Sequence, residues 1–322
     1  MHNKILKLAG LAVASLLVPL CSACNYESDS GKLKIVTSIY PEYDWVMNIL
    51  GEKKDNAKVT MLLDSGSDLH SYQPTPKDIK NIANCDLLVF VGGESDEWVD
   101  DALKQAVNKN MKTINLLETL GDGAKEEDEE GAEEDEHDHE ESEVEYDEHV
   151  WLSLKNAKLF VKTIGDTLGQ IDSENASYYK SNADTYIASL NALDERYQAA
   201  VDAKVKDTLL FADRYPFRYL LDDYGLEHVA AFSGCSAENT VGPNTLRMLV
   251  DKVNELNLSV IYKIDGSDGK IAESVKESTG KTDLKILTMD SLQSGASTQF
   301  SSTNNYLTRM EANLEVLKEG LK

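Results

Sequence analysis

Positively charged side chains are scarce in this sequence of 322 residues. Lys and Arg together number 32 against 57 Asp and Glu, which gives a formal net charge of −25. A chain with this charge repels the phosphates of nucleic acids and the head groups of anionic lipids, and it attracts cations. The composition therefore argues against nucleic-acid binding and favours a cationic ligand.

Long apolar runs are also missing. The longest uncharged apolar stretch, Leu8–Leu20, has 13 residues, whereas a membrane-spanning helix needs about 20. Lys4 and Lys7 precede this stretch, and a short positive region followed by a short apolar run is typical of a secretory signal. We therefore predict a signal peptide over residues 1–23.

Cysteines are few, and two of the four, Cys21 and Cys24, lie in the signal peptide or directly after it. Small residues before Cys24 indicate a lipoprotein cleavage site with the lipid on its sulfur, and Cys21 is the alternative. Residues 24–32 are polar and fit a tether. The remaining pair, Cys85 and Cys235, does not make a disulfide-rich scaffold, and Cys85 begins an apolar run as a small buried residue would.

The rest of the chain alternates short β-branched runs with amphipathic ones, which is typical of α/β domains with buried parallel sheets. Four strands are expected before residue 150 and four after residue 205, so we predict α/β domains over 33–172 and 207–322. The expected strands are Lys34–Ser38, Val59–Asp64, Leu87–Gly92, Thr113–Leu116, Thr208–Asp213, His228–Ser233, Val260–Asp265 and Lys285–Asp290.

Residues 173–206 contain neither Pro nor Gly. Apolar side chains recur there at intervals of three and four, which predicts one long helix with a single packed face. Such a helix would join the two domains rigidly. The stripe residues, for which we expect a purely structural role, are Tyr186, Leu190, Leu193, Tyr197 and Val201.

One segment departs from this pattern. Residues 124–148 contain sixteen Asp or Glu and one Lys, with His137 and His139 among them. So many like charges cannot bury a core, so we expect a disordered loop inserted in the first domain.

Candidate metal ligands follow the expected strands at their carboxyl ends, where open α/β sheets bind ligands. His70 follows the second strand, and His149 follows the fourth strand and the acidic loop. Asp213 ends the fifth strand and Asp290 the eighth. Imidazole and carboxylate groups are zinc ligands, so the fold would assemble a metal site in the cleft between the domains.

These residues lie in motifs that resemble the zinc/manganese-binding lipoproteins of ABC importers. The motifs are Gly66-x-Asp68-x-His70-x-Tyr72-x-Pro74, Asp147-x-His149-Val150-Trp151-Leu152, Tyr224-Gly225-Leu226 and Asp290-Ser291-Leu292. The resemblance implies two four-stranded domains, a linking helix and a metal between the domains, with His70, His149 and Asp290 as ligands. It also implies delivery to a membrane permease, and we expect a monomer.

The third histidine of that family is absent, because Arg214 stands at its position. Arginine has no lone pair to offer a cation. Asp213, Glu238, Cys235 or water could replace the histidine, and Glu238 is the preferred fourth ligand because a second carboxylate neutralises the bound charge. We expect Arg214 to form a structural ion pair with Asp213, and His228 to be structural.

The ligand set suits zinc, with manganese or iron as alternatives. The acidic loop favours zinc, because His137-Asp138-His139 resembles the metal-collecting loops of the zinc branch.

Two other functions use the same residues. An exported zinc hydrolase would need three ligands and a water, but the sequence has neither H-E-x-x-H nor a serine nucleophile elbow. A binding protein for a metal chelate or small anion would use Arg214, whose guanidinium suits a carboxylate.

Overall fold

The computed structural model describes residues 31–64, 68–127, 145–236, 240–293 and 295–322. All eight expected strands are present and begin within two residues of their expected starts. They are β1 (Leu33–Thr37), β2 (Ala57–Met61), β3 (Leu87–Phe90), β4 (Lys112–Asn115), β5 (Thr208–Tyr215), β6 (Glu227–Ser233), β7 (Val260–Ile264) and β8 (Lys285–Met289).

The strands form two parallel sheets of four, as the sequence predicted. Their orders are β2-β1-β3-β4 and β6-β5-β7-β8. In the first sheet β2 lies on one side of β1 and β3 on the other, and in the second sheet β6 and β7 flank β5 in the same way. The strand order therefore reverses between β1 and β3 and between β5 and β7, and each of these places is a topological switch point. Loops at the carboxyl ends diverge at a switch point and leave a crevice for a ligand.

Helices cover the sheets, and none in the described part of the chain is long and apolar enough to cross a membrane. They are α1 (Tyr40–Leu50), α2 (Pro76–Ala83), α3 (Trp98–Lys104), α4 (Leu116–Leu120), α5 (Leu154–Ile171), α6 (Ala176–Asp202), α7 (Arg218–Asp223), α8 (Pro243–Glu255), α9 (Lys270–Thr279) and α10 (Tyr306–Gly320).

Helix α6 is the long helix expected over 173–206, but it is shorter at both ends. A 3₁₀ turn, Ser173–Asn175, precedes it, and it ends at Asp202. The predicted apolar stripe is buried along its full length, which confirms its structural role.

Hydrogen bonds from α6 join it to helices from both halves of the chain. The hydroxyl of Tyr186 donates to Asp44 Oδ1 in α1 at 2.7 Å, and that of Tyr197 donates to the carbonyl of Met310 in α10 at 2.6 Å. Asp44 Oδ2 also accepts from the backbone N–H of Tyr306. Residues 32–322 form one compact unit, so the domain boundaries at 172 and 207 remain predictions.

A fully buried carboxyl group, Glu42, lies at the start of α1. It accepts hydrogen bonds from the backbone N–H groups of Ser38 and Ile39 at 2.7 and 3.2 Å. Burial, followed by the nearby charge of Asp96, raises the pKa of Glu42 to about 8.

Replacing Glu42 by Gln should therefore stabilise the metal-free chain, increasingly so as pH rises. Above pH 4.5 the unfolded carboxyl loses its proton while the folded one keeps it until about pH 8, so rising pH destabilises the wild type across that window. The free-energy difference between Glu42→Gln and wild type should grow by up to about 1.4 kcal/mol per pH unit. Urea unfolding with a chelator between pH 5 and 8 measures it, with exposed Glu52→Gln as the control. A constant difference would contradict the burial effect.

Candidate metal centre

The loop after β2 holds His70 in a short 3₁₀ turn, Leu69–Ser71. The turn begins at Asp68, whose Oδ1 accepts a hydrogen bond from the backbone N–H of His70 at 3.1 Å. This contact caps the turn. Leu69 is buried in the core, and its packing anchors the turn, while His70 stays partly accessible.

His149, the residue that directly follows the acidic loop, is fully buried. Asp147 Oδ1 accepts from the backbone N–H of His149 at 2.8 Å and lies 3.1 Å from its Nδ1. Because an ionised carboxylate only accepts hydrogen bonds, Nδ1 carries the proton and the neutral ring has its lone pair on Nε2. A carboxylate behind a histidine in this way is typical of metal ligands.

His70 has a comparable arrangement behind its ring. Its Nδ1 lies 2.9 Å from the hydroxyl of Ser95 and 3.3 Å from Glu148 Oε2. Glu148 is buried, its Oε1 accepts from the backbone N–H of Ser95, and Oε2 has no hydrogen-bond partner within the described residues. The nearby Glu148 carboxylate favours a proton on Nδ1, the tautomer that leaves the lone pair on Nε2, while the Ser95 hydroxyl suits either tautomer. No sequence motif had indicated Ser95.

The Nε2 atoms of His70 and His149 face each other at 3.2 Å. In the metal-free protein one Nε2 can donate to the other, because the Ser95 hydroxyl can either accept from Nδ1 of His70 or donate to it. A tetrahedral zinc with bonds of about 2.0–2.1 Å places two nitrogens about 3.3 Å apart. The pair therefore has the spacing of two ligands of one metal ion.

Cys235 joins the two histidines in the only such group of three ligands among the described residues. Its Sγ and one nitrogen of each imidazole all lie within 4.8 Å of one another. The preceding Gly234 packs on the ring of His149: a β-carbon there would lie 3.0 Å from Nδ1 and 2.9 Å from the carbonyl oxygen of Tyr215. Burial, followed by nearby carboxylates, raises the pKa of the metal-free Cys235 thiol.

Asp290 has a different setting. Arg309 donates to both of its carboxylate oxygens, at 2.6 and 2.5 Å, and Asp290 is not part of the group formed by His70, His149 and Cys235. Its role as a ligand would require Arg309 to release an oxygen, and it remains a prediction. Glu238 lies outside the described residues, so its role is a prediction as well.

The expected ion pair between Arg214 and Asp213 is wrong. Arg214 Nη2 instead lies 2.9 Å from Asp68 Oδ2, on the loop that carries His70. Asp213 is buried, and its carboxylate accepts from the backbone N–H groups of Arg214 and Ile264. The guanidinium thus pairs with the loop of His70 and not with its neighbour in the chain.

The ends of the acidic segment lie beside the histidines. Glu126 and Tyr146 form an antiparallel bridge, and Glu127 Oε1 accepts from the backbone N–H of Cys235 at 3.0 Å. The bridge corrects the expectation of disorder at the two ends, while His137 and His139 lie outside the described residues.

A cavity of about 680 Å³ extends from the ends of the acidic segment to the metal centre. It is lined by His70, Cys235, Tyr72, Trp98 and the carboxylates of Glu94, Glu97, Glu127, Glu145 and Glu148.

Comparison with known proteins places these residues in a family. Residues 35–320 match the model of the zinc-uptake complex component A, periplasmic. The chain belongs to this family. The match covers both sheets, the linking helix α6 and both histidines, so it extends over nearly all of the described chain.

Individual relatives carry related names. The zinc-binding lipoprotein AdcA of Streptococcus pneumoniae is 31% identical over 98% of this chain, which spans 61% of that protein's length. The high-affinity zinc uptake system protein ZnuA of Bacillus subtilis is 31% identical over 98% of both chains. The solved Zn(II)-bound ZnuA-like domain of S. pneumoniae AdcA is 27% identical, with a TM-score of 0.71 over 90% of this chain and 99% of that one.

The pair formed by Asp68 and Arg214 should contribute to metal affinity because it holds the His70 loop against the opposite sheet. Asp68→Asn and Arg214→Gln should each weaken zinc binding by a factor of about 3 to 10, since a partly exposed ion pair contributes about 1 kcal/mol. The double variant should be no weaker than either single one, because both changes remove one interaction.

Competition titration with a zinc chelator on the four proteins measures this coupling. Losses that add in the double variant would show that the two side chains act independently of each other.

Proposed function

We propose that this chain captures zinc outside the cell and delivers it to the permease of an ABC importer. The observation that carries the proposal is that the Nε2 atoms of His70 and His149 face each other 3.2 Å apart, which is the spacing of two nitrogens bound to one zinc ion. Membership in a zinc-uptake family and the likeness to a zinc-bound domain support it.

The charges around the pair favour capture of a divalent cation. Asp147 and Glu148 lie behind the two imidazoles, and further carboxylates line the cavity that leads to them. Such a cleft concentrates cations near the site. Zinc is the preferred substrate, with manganese as the alternative, and His70, His149, Asp290 and Glu238 are the ligands proposed from the sequence.

The alternative functions gain no support from the geometry. Arg214 Nη2 is bonded to Asp68, so its positive charge already has a partner within the protein. We propose no catalysis, because the matching family model is that of a zinc-uptake component and the sequence has neither H-E-x-x-H nor a serine nucleophile elbow.

The remaining proposals concern location and partners. The lipid-bearing residue would be Cys24, which lies outside the described residues, and the chain would act as a monomer on the outer face of the membrane. Two or more acyl chains give stable anchoring where one does not. An anchored carrier stays close to its permease.

His149→Ala should abolish tight zinc binding, whereas His137→Ala and His139→Ala should change it less than about twofold. A buried ligand with a fixed carboxylate behind it has no substitute, while histidines in a long acidic segment can replace one another. Chelator competition on the purified variants measures affinity, and growth of zinc-limited cells carrying each variant measures uptake. Equal losses at all three positions would contradict a folded site.

Removal of residues 128–144 should eliminate weak zinc binding and leave the tight site intact. The deletion keeps the bridge between Glu126 and Tyr146 and the contact of Glu127 with Cys235, so the metal centre retains its support. Calorimetric titration should show two classes of site in the wild type and one in the shortened chain. Loss of the tight class would place the site in the loop instead.

A further inference from the structure

We infer that the thiolate of Cys235 is the third metal ligand of this chain and takes the place of the histidine that Arg214 replaces. The inference rests on the proposed function, because it concerns the same zinc site. It goes beyond the ligands expected from the motifs, which did not select Cys235.

The sheet topology explains how a residue after one strand can replace a ligand at the end of the neighbouring strand. Strand β6 pairs with β5 so that Phe232 lies opposite Arg214 and Ser233 opposite Tyr215. The loop that begins after Ser233 therefore runs beside the end of β5, where the family histidine would stand. Cys235 is the second residue of that loop.

Contacts of the loop hold Cys235 against the two imidazoles. Gly234 packs on the ring of His149 with no room for a side chain, and the backbone N–H of Cys235 is bonded to Glu127. Tyr215, His149 and Glu127, which make these contacts, lie in three different segments of the chain, so the surrounding structure fixes the position of Cys235.

The distances require only a small closing movement. Sγ lies within 4.8 Å of both nitrogens, and a shared tetrahedral zinc would bring it to about 3.6 Å from each. A movement of on the order of 1 Å by the loop would complete this geometry. On binding, the cysteine S–H proton leaves to solvent, and the sulfur lone pair forms the bond to the metal.

A thiolate in the ligand set determines which metal the site prefers. Soft thiolate ligands select zinc over manganese, whereas carboxylates suit manganese. A site with two imidazoles and one thiolate should therefore discriminate against manganese more strongly than a site completed by Asp290. Cys235 thus acts as the specificity-determining residue of the zinc site.

Cobalt substitution tests the inference, because a Co(II)–thiolate bond produces a charge-transfer band in the near ultraviolet. The purified chain loaded with one Co²⁺ should show this band. Cys235→Ser should lose the band, retain the visible bands of histidine-bound cobalt, and bind zinc at least about tenfold more weakly. Cys235→Asp should lower the ratio of zinc affinity to manganese affinity by about tenfold as well.

Two controls separate the explanations. Cys85→Ala removes the other cysteine of the folded chain, which is buried far from solvent, and should keep the band. Asp290→Asn should leave the band in place. Bound cobalt without a thiolate band in the wild type would overturn the role of Cys235 and leave the proposed function standing, whereas failure to bind cobalt or zinc at all would overturn both.

Discussion

The metal centre depends on two imidazole nitrogens that face each other, and the surrounding residues hold them in place. The Nε2 atoms of His70 and His149 are 3.2 Å apart, close to the spacing of two nitrogens bound to one zinc ion. Each Nε2 offers its lone pair when the proton is on Nδ1, and the groups that can accept from Nδ1 are Asp147 behind His149 and the Ser95 hydroxyl behind His70. The metal centre is thus prepared by carboxylates and a hydroxyl that never need to touch the metal.

Holding the two rings together depends on packing far from them. His70 follows β2, while the Gly234 backbone that packs on His149 follows β6 in the other sheet. The two sheets are connected through α6, whose tyrosines bond to α1 and α10. Both hydrogen bonds are buried, so α6 is held against helices from the two halves of the chain.

Arg214 shows how one substitution changes the chemistry of a cleft without emptying it. A histidine at this position would offer a lone pair, but the guanidinium offers only N–H donors. It bonds to Asp68, the residue that caps the turn of His70. Arg214 therefore supports the loop that carries His70, and Cys235, the ligand inferred above, lies on the neighbouring loop after β6.

The order of strands and helices, the α/β class and the apolar stripe of α6 followed from sequence patterns, because burial on a strand or helix imposes a local period. The motifs around His70 and His149 were equally local, so both residues were found. The sequence placed Cys235 behind Glu238 and gave no signal for Ser95, since the value of both residues depends on which loops meet at the strand ends. The partner of Arg214 was also a tertiary outcome. Asp213 is adjacent in the chain, but backbone N–H groups bind its oxygens, and only the packing of the two sheets brings Asp68 within reach.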